Sequence, residues 1–486
     1  MDLINIIKYI FIILIMILSL RFIIIEFSVY KVTQGKPEPI SLMDINTYEN
    51  IKKDIQIKIL ENDKKIRLKR TNTSHLFGLK YLESYNELDL SPLNKIIELN
   101  IEENYVKVGG NTNLAELIKY LQKEGYGLKV IPDMDHLTIG GLYAGIGGGA
   151  RTFKCGAFFN IVKEVEIITG NGEILICNEN ENKDLFEFLP STLGSLGYCL
   201  SLNLEIEPIK KYVFSRTYHY TNFKDFINNI KNNMENGDLD FLDGTIFSDT
   251  HFAVIIGKQT NDKSNYKLYG KDLGIPYDAM VEEGYIGIYE YYDYIYRWDV
   301  DGYYSFRSED PIINMLRNKY VRKFLDKRLF RETELRNLGE LFGKSCYDAN
   351  GQITDCVGDF MIPISNADKY FDWFKHNGDE CYPLYMCPID FPTQSKFIKT
   401  DKLSIDFGIG YGVNPKGNYE KESYLRKCML KAYDLGGDML KYNSIYNNEE
   451  EFWSYYSIEL REKYELLREK YDSKNRFYSI TDKLII

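Results

Sequence analysis

The sequence predicts an α+β fold of two domains behind one N-terminal transmembrane helix. Three observations carry this reading. From about Asp44 to Pro208, short strand-like runs surround one well-signalled helix. After Pro208 the composition shifts toward Tyr, Asn, Asp and Lys. Ahead of both lies an apolar run at Ile6–Ile25. At 486 residues the chain is also too long for one compact core. The expected division is an anchor over 1–30, a first domain over 31–210 and a second over 211–486.

Ile6–Ile25 carries only Lys8 and Arg21 as charges, and its run from Tyr9 to Leu20 is broken only by Ser19. About 20 residues span a bilayer, and basic side chains near the ends can reach the interface. A cleaved signal peptide is the alternative, but no small-x-small cleavage site follows the run. Arg21, Lys31 and Lys36 follow the span while Lys8 alone precedes it, which orients the following domain toward the cytosol.

The elements of the first domain read in order. Lys95–Leu99 and Tyr105–Val108 are β-rich around a mostly polar stretch, as in a hairpin. Asn113 and Glu116 form a capping-box-like start for a helix whose apolar face is Leu114, Leu117, Ile118 and Leu121, and Gly125 ends it. Ile167–Ile176 reads as two strands around Asn171-Gly172, a hairpin turn. Lys210-Lys211 marks the domain boundary. The stretch Tyr285–Tyr304 is either an aromatic packing layer or an apolar wall for a flat substrate. Charges alternate over Glu449–Lys470, as on a helix with one face in solvent.

Net charge is −11 and no Lys/Arg stripe is present, which argues against nucleic-acid binding. The eight cysteines are scattered without Cys-x-x-Cys, so a reducing compartment and no metal site are expected.

The stretch that carries chemistry is Pro132–Gly149, with six glycines between Gly140 and Gly149. Glycines let backbone N–H groups approach an anion, and a phosphate cradle is the natural use. A tightly turning loop is the competing reading. The pattern is neither a dinucleotide fingerprint in a βαβ unit nor a P-loop, since no Gly-Lys-Ser/Thr follows.

The order of pieces decides between these. A basic loop, Lys69-Arg70-Thr71-Asn72-Thr73-Ser74, precedes the capped helix, the glycine stretch, the Asn-Gly hairpin and Ser191–Gly197. This resembles the two-lobed FAD-binding PCMH-type domain of the vanillyl-alcohol oxidase and p-cresol methylhydroxylase superfamily. Within it, Pro132-Asp133-x-Asp135-x-Leu137-Thr138-Ile139-Gly140-Gly141, Lys154-x-Gly156, Asp184-Leu185-Phe186, Gly194-x-Leu196-Gly197 and Pro208-x-Lys210-Lys211-Tyr212 resemble the seladin-type delta(24)-sterol reductases and their bacterial relatives. The likeness continues through Tyr382–Pro388, Asp406-x-Gly408 and Glu450–Trp453. Two departures stand out. Gly147–Arg151 replaces a more polar Glu/Ser run, and Arg297-Trp298-Asp299-x-Asp301 is closer to the bacterial members.

The resemblance implies non-covalent FAD, since His75 lacks the Gly-Gly-His context of covalently flavinylated members. It implies that Leu137, Thr138, Ile139, Gly140, Gly141, Leu142 and Tyr143, with Gly145, wrap the pyrophosphate and ribityl chain. Arg70, Thr73 and Ser74 would complete the phosphate loop, and Gly194 and Gly197 would let the second lobe close on the cofactor. The implied reaction is reduction of a sterol side-chain double bond by NADPH through the flavin, at an intracellular membrane such as the endoplasmic reticulum. An alkene also needs a proton, and Asp299, Asp301 and Tyr303 are the candidate donors, with a structural role in the aromatic layer as the alternative. Cys387 either lines the pocket or is simply packed. The competing functions are a flavin oxidase or dehydrogenase of an alcohol or sugar lactone, and a non-catalytic flavin-binding membrane protein.

Overall fold

The computed structural model describes residues 40–69, 85–263, 266, 268–269, 284–299, 357–377, 382–392, 395–400, 403–410, 421–441 and 445–485. The apolar N-terminal run, Arg70, Thr73, Ser74, His75, Asp301 and Tyr303 lie outside these residues. Among the described residues no helix is long and apolar enough to cross a membrane.

The first lobe opens with α1 (Ile45–Leu60), capped by Asp44, whose carboxylate accepts from the Thr47 N–H at 3.0 Å. β1 (Lys65–Leu68) and β2 (Tyr85–Leu88) pair in parallel. Tyr48, Ile55 and Ile59 of the helix bury against Ile66, Leu88 and Leu93, with Phe477 entering from the far end of the chain.

The second lobe is a six-stranded sheet. Its strands are β3 (Ile96–Asn100), β4 (Tyr105–Gly109), β5 (Tyr126–Leu128), β6 (Val162–Ile168), β7 (Ile174–Asn178) and β8 (Tyr198–Pro208). The order is β3-β4-β8-β6-β7, with β5 against β8. Both expected hairpins are present as antiparallel pairs, and Gly172 turns the second with φ +81°. α2 (Leu114–Lys123) starts where Asn113 accepts from the Glu116 N–H at 3.0 Å. Glu116 does not complete the box, because its carboxylate pairs with Lys119 at 2.7 Å. The predicted apolar face is the buried one, and Gly125 follows the helix with φ +80°. α3 (Ile139–Gly145), α4 (Thr152–Cys155) and α5 (Lys183–Phe188) complete this lobe.

The two lobes are joined by a buried polar knot. Glu166 of β6 accepts from the Tyr48 hydroxyl, from Lys52 at 2.6 Å and from Ser201 at 3.3 Å. Glu166→Gln keeps the shape but removes the charge facing Lys52. It is expected to cost about 1–3 kcal/mol in a denaturant melt.

The second domain is a nine-stranded sheet. It uses β9 (Tyr212–Tyr220), β10 (Phe241–Ser248), β11 (His251–Thr260), β12 (Leu268–Tyr269), β13 (Ile286–Glu290), β14 (Val357–Pro363), β15 (Leu384–Ile389), β16 (Ser404–Gly410) and β17 (Asp438–Met439). The order is β12-β13-β9-β11-β10-β15-β16-β14-β17. α6 (Phe223–Asn236), α7 (Tyr291–Ile295), α8 (Ala367–Asn377) and α9 (Lys421–Asp434) accompany it. The rings of α6 and α8 interleave with the sheet: Phe223 stacks on Phe371 at 4.3 Å, and Tyr370 meets Phe407 edge-on at 4.8 Å. This face is the apolar core.

Of the Tyr-rich stretch, Tyr289, Tyr291, Tyr294 and Tyr296 are all buried, and Tyr294 packs edge-on to Tyr289 and Phe241. Its described part is a packing layer. The chain then returns through α10 (Glu449–Ser454), α11 (Ile458–Tyr471) and α12 (Ile480–Leu484) to the first domain. Arg476 there donates to the carbonyls of Leu60, Asn62 and Gly170.

Candidate active site

The glycine stretch folds as α3 and the turns after it. Ile139, Leu142, Tyr143 and Ile146 face the core, while Leu137, Thr138, Ala144, Gly145 and Gly148 are half-buried and Gly141 is exposed. One side of the segment is therefore open and lined mostly by small residues. The Ile139 and Gly140 N–H groups do not face that side, since they donate to the carbonyls of Thr112 at 3.0 Å and Gly110 at 2.7 Å. Within the run from Leu137 to Tyr143 expected to wrap a ligand through its N–H groups, these two donors are already paired. Ile139, Leu142 and Tyr143 are core anchors, and Thr138 and Gly141 stand on the open side. The Thr138 hydroxyl makes no capping bond to its own helix, which leaves it able to donate outward. A Cβ on Gly145 would meet nothing within 4 Å, whereas one on Gly149 would lie 2.5 Å from the Ile131 carbonyl oxygen. The first glycine borders space and the last permits a close backbone crossing.

Gly194 and Gly197 sit in a loop strained at Ser191 (φ +67°) and Leu193 (φ +55°), with Gly194 at φ +77°. Leu193 N–H donates to the Ala144 carbonyl of α3 at 3.2 Å, which fixes the loop to the glycine segment. The C-terminal helices brace it from behind. Tyr464 donates to Ser195 Oγ at 2.9 Å, Arg468 to the Ser195 carbonyl, and Lys483 to the Leu193 carbonyl at 2.7 Å. Sequence reasoning missed these braces because about 270 residues separate the partners.

Against the other end of the glycine segment lies the second face of the nine-stranded sheet. Cys387 Sγ donates to the Gly149 carbonyl at 2.9 Å, and Leu242 N–H donates to the Ala150 carbonyl at 2.7 Å. Cross-strand pairing sets Thr245 beside Tyr385, Tyr385 beside Gly408, and Gly408 beside Asp359. The adjacent row holds Cys387 beside Asp406. Side chains alternate along a strand, so Asp243 joins Thr245 on this face while Leu242 and Ile246 turn to the helices. One face of the sheet is thus apolar and the other is acidic and hydroxylic.

Arg297 is 1% exposed and lies over the Tyr294 ring at 4.0 Å. It forms an ion pair with Asp243 Oδ2, which also accepts from Trp298 Nε1 at 2.8 Å and Tyr385 OH at 3.5 Å. Asp133, from the segment before α3, hydrogen-bonds Tyr385 and feels the charge of Arg297. Four carboxyls (Asp133, Asp243, Asp359, Asp406) therefore share this region with one guanidinium. Burial raises Asp243 despite Arg297, and burial with the Asp359 charge holds Asp406 well above the usual carboxylate range.

Asp133 is pushed up to about 7, chiefly by burial, against the opposing pull of Arg297. Between pH 4 and 7 the folded chain then binds a proton that the unfolded chain releases, so this site weakens stability as pH rises through that window. Asp133 is half-buried, which holds the loss to about 1–3 kcal/mol. Asp133→Asn is expected to flatten the slope, read by urea melts at pH 4.5 and 7.5.

Of the candidate proton donors, Asp299 is buried and its carboxylate lies with Asp135 and His136, the three donor atoms within 4.8 Å of one another. No metal set was expected from linear spacing, and this carboxylate–imidazole–carboxylate group assembles only through the fold. A separate crevice of about 700 Å³ runs between the two sheets. Four of its five basic groups are matched in ion pairs, Lys129 with Glu205, Arg151 with Glu207, Lys154 with Asp240 and Lys258 with Asp238, and Lys210 is the fifth. That balance leaves little charge for an anion.

Comparison with known proteins supports a flavin at the glycine segment. The family model for the FAD binding domain matches residues 58–178. The delta(24)-sterol reductase of Rattus norvegicus is 25% identical over 424 residues, 83% of this chain and 78% of that protein. The delta(24)-sterol reductase of Arabidopsis thaliana is 21% identical over 442 residues, 81% of this chain and 75% of that protein. Cytokinin dehydrogenase 1 of Arabidopsis thaliana is 32% identical over 122 residues, 25% of this chain and 21% of that protein. A Thr138 hydroxyl that makes no cap bond, an open small-residue face and a braced loop fit FAD at this place. Residues 58–178 thus match the FAD binding domain, and over most of its length the chain resembles the delta(24)-sterol reductases.

Proposed function

We propose that the protein is an FAD-dependent reductase that uses NADPH to saturate a sterol side-chain double bond at a membrane surface. The observation that carries this is the acidic face of the nine-stranded sheet, set against the end of the glycine segment. Reduction of an isolated alkene needs hydride on one carbon and a proton on the other. Bound FAD supplies the hydride chemistry. Thr138 and Gly141 hold the cofactor from the open side of α3, and the loop braced by Tyr464, Arg468 and Lys483 fixes the opposite wall. The buried carboxyls keep protons out of bulk water until substrate is bound. We assign 1–30 to a membrane anchor, 31–210 to flavin binding and 211–486 to the substrate domain, with the catalytic part on the cytosolic side of an intracellular membrane. A sterol partitions into a bilayer, so an anchored enzyme meets it at high local concentration.

The test is anaerobic mixing of the purified full chain. NADPH should bleach the flavin absorbance, and a sterol with an unsaturated side chain should restore it. A flavin that ignores NADPH but is bleached by an alcohol makes the protein an oxidase or dehydrogenase instead. A colourless protein that takes up no FAD makes it non-catalytic.

A further inference from the structure

We propose that Asp406, set diagonally beside Asp359 on paired strands, is the acid that delivers the proton to the substrate carbon. The inference rests on the reductase reading and assigns the donor within it. It starts from register. Asp406 stands opposite Cys387, the residue that touches the end of the glycine segment, and so projects to the same face. It is 7% exposed, and its Oδ1 has no partner among the described residues. Asp359, opposite Gly408 on the next strand, is its diagonal neighbour on the same face.

Two carboxyl groups can share a hydrogen bond only when one of them holds a proton. The neighbouring acids differ in this respect. Asp243 accepts from Arg297, Trp298 and Tyr385, the environment of an ionised carboxylate, and Asp133, pushed up to about 7, holds its proton only in part at neutral pH. The Asp359–Asp406 pair is the place on this face where register brings two carboxyls together without a cation between them. Burial and the like charge of Asp359 both favour that protonated form. The other titratable groups near Asp406 are Cys387 on β15, Tyr370 on α8, and, beyond Cys387, Asp243 and Asp133.

The π pair forms a C–H bond with the Asp406 proton as the O–H bond breaks, leaving its electrons on the carboxylate, and the other alkene carbon becomes electron-poor. Bound FAD, reduced by the nicotinamide, would supply the hydride that this carbon takes. Asp359 is half-buried, and it returns a proton to Asp406 from the solvent side.

The experiment compares the wild type, Asp406→Asn and Asp359→Asn as FAD-loaded full chains. NADPH should reduce the flavin at the wild-type rate in all three. Reoxidation by the sterol alkene should slow by at least about 100-fold in Asp406→Asn. In Asp359→Asn the alkaline limb of the reoxidation pH profile should move to lower pH, which loss of packing alone would not do. Infrared spectra at neutral pH, independent of turnover, should show a protonated-carboxyl band in the wild type that Asp406→Asn lacks. Near-wild-type reoxidation in Asp406→Asn, or an unchanged infrared band, overturns the assignment while leaving the reductase reading intact. A wild type that no sterol alkene reoxidises overturns the reductase reading and the donor role with it. Should Asp406→Asn fail to load FAD, the pH profile of Asp359→Asn decides, and an unshifted limb counts against the proposal.

Discussion

Arg297→Met is expected to lower the unfolding free energy by about 3–5 kcal/mol, the usual effect of removing one partner of a buried ion pair. Asp243 is fully buried, and two of its three polar partners would remain as neutral donors, Trp298 and Tyr385. Neither neutralises a carboxylate, so Asp243 would have to take up a proton or draw in water. The substitution should also make stability more sensitive to alkaline pH, because the proton taken up by Asp243 is lost again as pH rises. Chemical denaturation at pH 5 and pH 8 measures both effects. A change below about 1 kcal/mol at both pH values would show that the Asp243 carboxylate is satisfied without Arg297.

Gly149→Val is expected to weaken FAD binding by at least about tenfold, the equivalent of about 1.4 kcal/mol. A Cβ at this position would lie 2.5 Å from the Ile131 carbonyl oxygen, an atom of backbone that cannot rotate aside. The loop must then move, and with it the Gly149 carbonyl that receives Cys387 and the Gly149 N–H that donates to Thr152 at 2.8 Å. Overpacking of this kind costs about 1–3 kcal/mol of stability besides its effect on the ligand. Flavin fluorescence titration of apoprotein gives the affinity, and the same protein in a thermal melt gives the stability. Retention of wild-type affinity would remove the end of the glycine segment from the cofactor site.

How much of this was legible in the chain depends on the range of the forces involved. α2 could be read because its cap, its apolar stripe and its terminal glycine lie within thirteen residues (113–125) and each acts on its neighbours. The Asn171-Gly172 hairpin was legible for the same reason, since a turn residue and two flanking apolar runs suffice. The glycine segment was recognisable as a ligand loop, but which of its donors are open was not. Whether the N–H groups of Ile139 and Gly140 face a ligand depends on the carbonyls of Gly110 and Thr112, which another part of the sheet supplies.

The acidic face could have been suspected from period two, because Asp243 and Thr245 alternate with Leu242, Gly244 and Ile246, and Tyr385 and Cys387 alternate with apolar neighbours. That pattern says which residues of one strand share a face, not which strands lie together. The sequence by itself therefore determined the α+β class and the local elements, set by interactions between residues near in the chain, while the flavin reading rested on the family resemblance of its ordered motifs. Only the tertiary structure decided that Asp133, Asp243, Arg297, Tyr385, Asp359 and Asp406 form one cluster, with Asp243, Arg297 and Asp406 buried within it. Strand order and register bring together positions as far apart as 133 and 406, and burial there changes the proton affinity that their chemistry depends on.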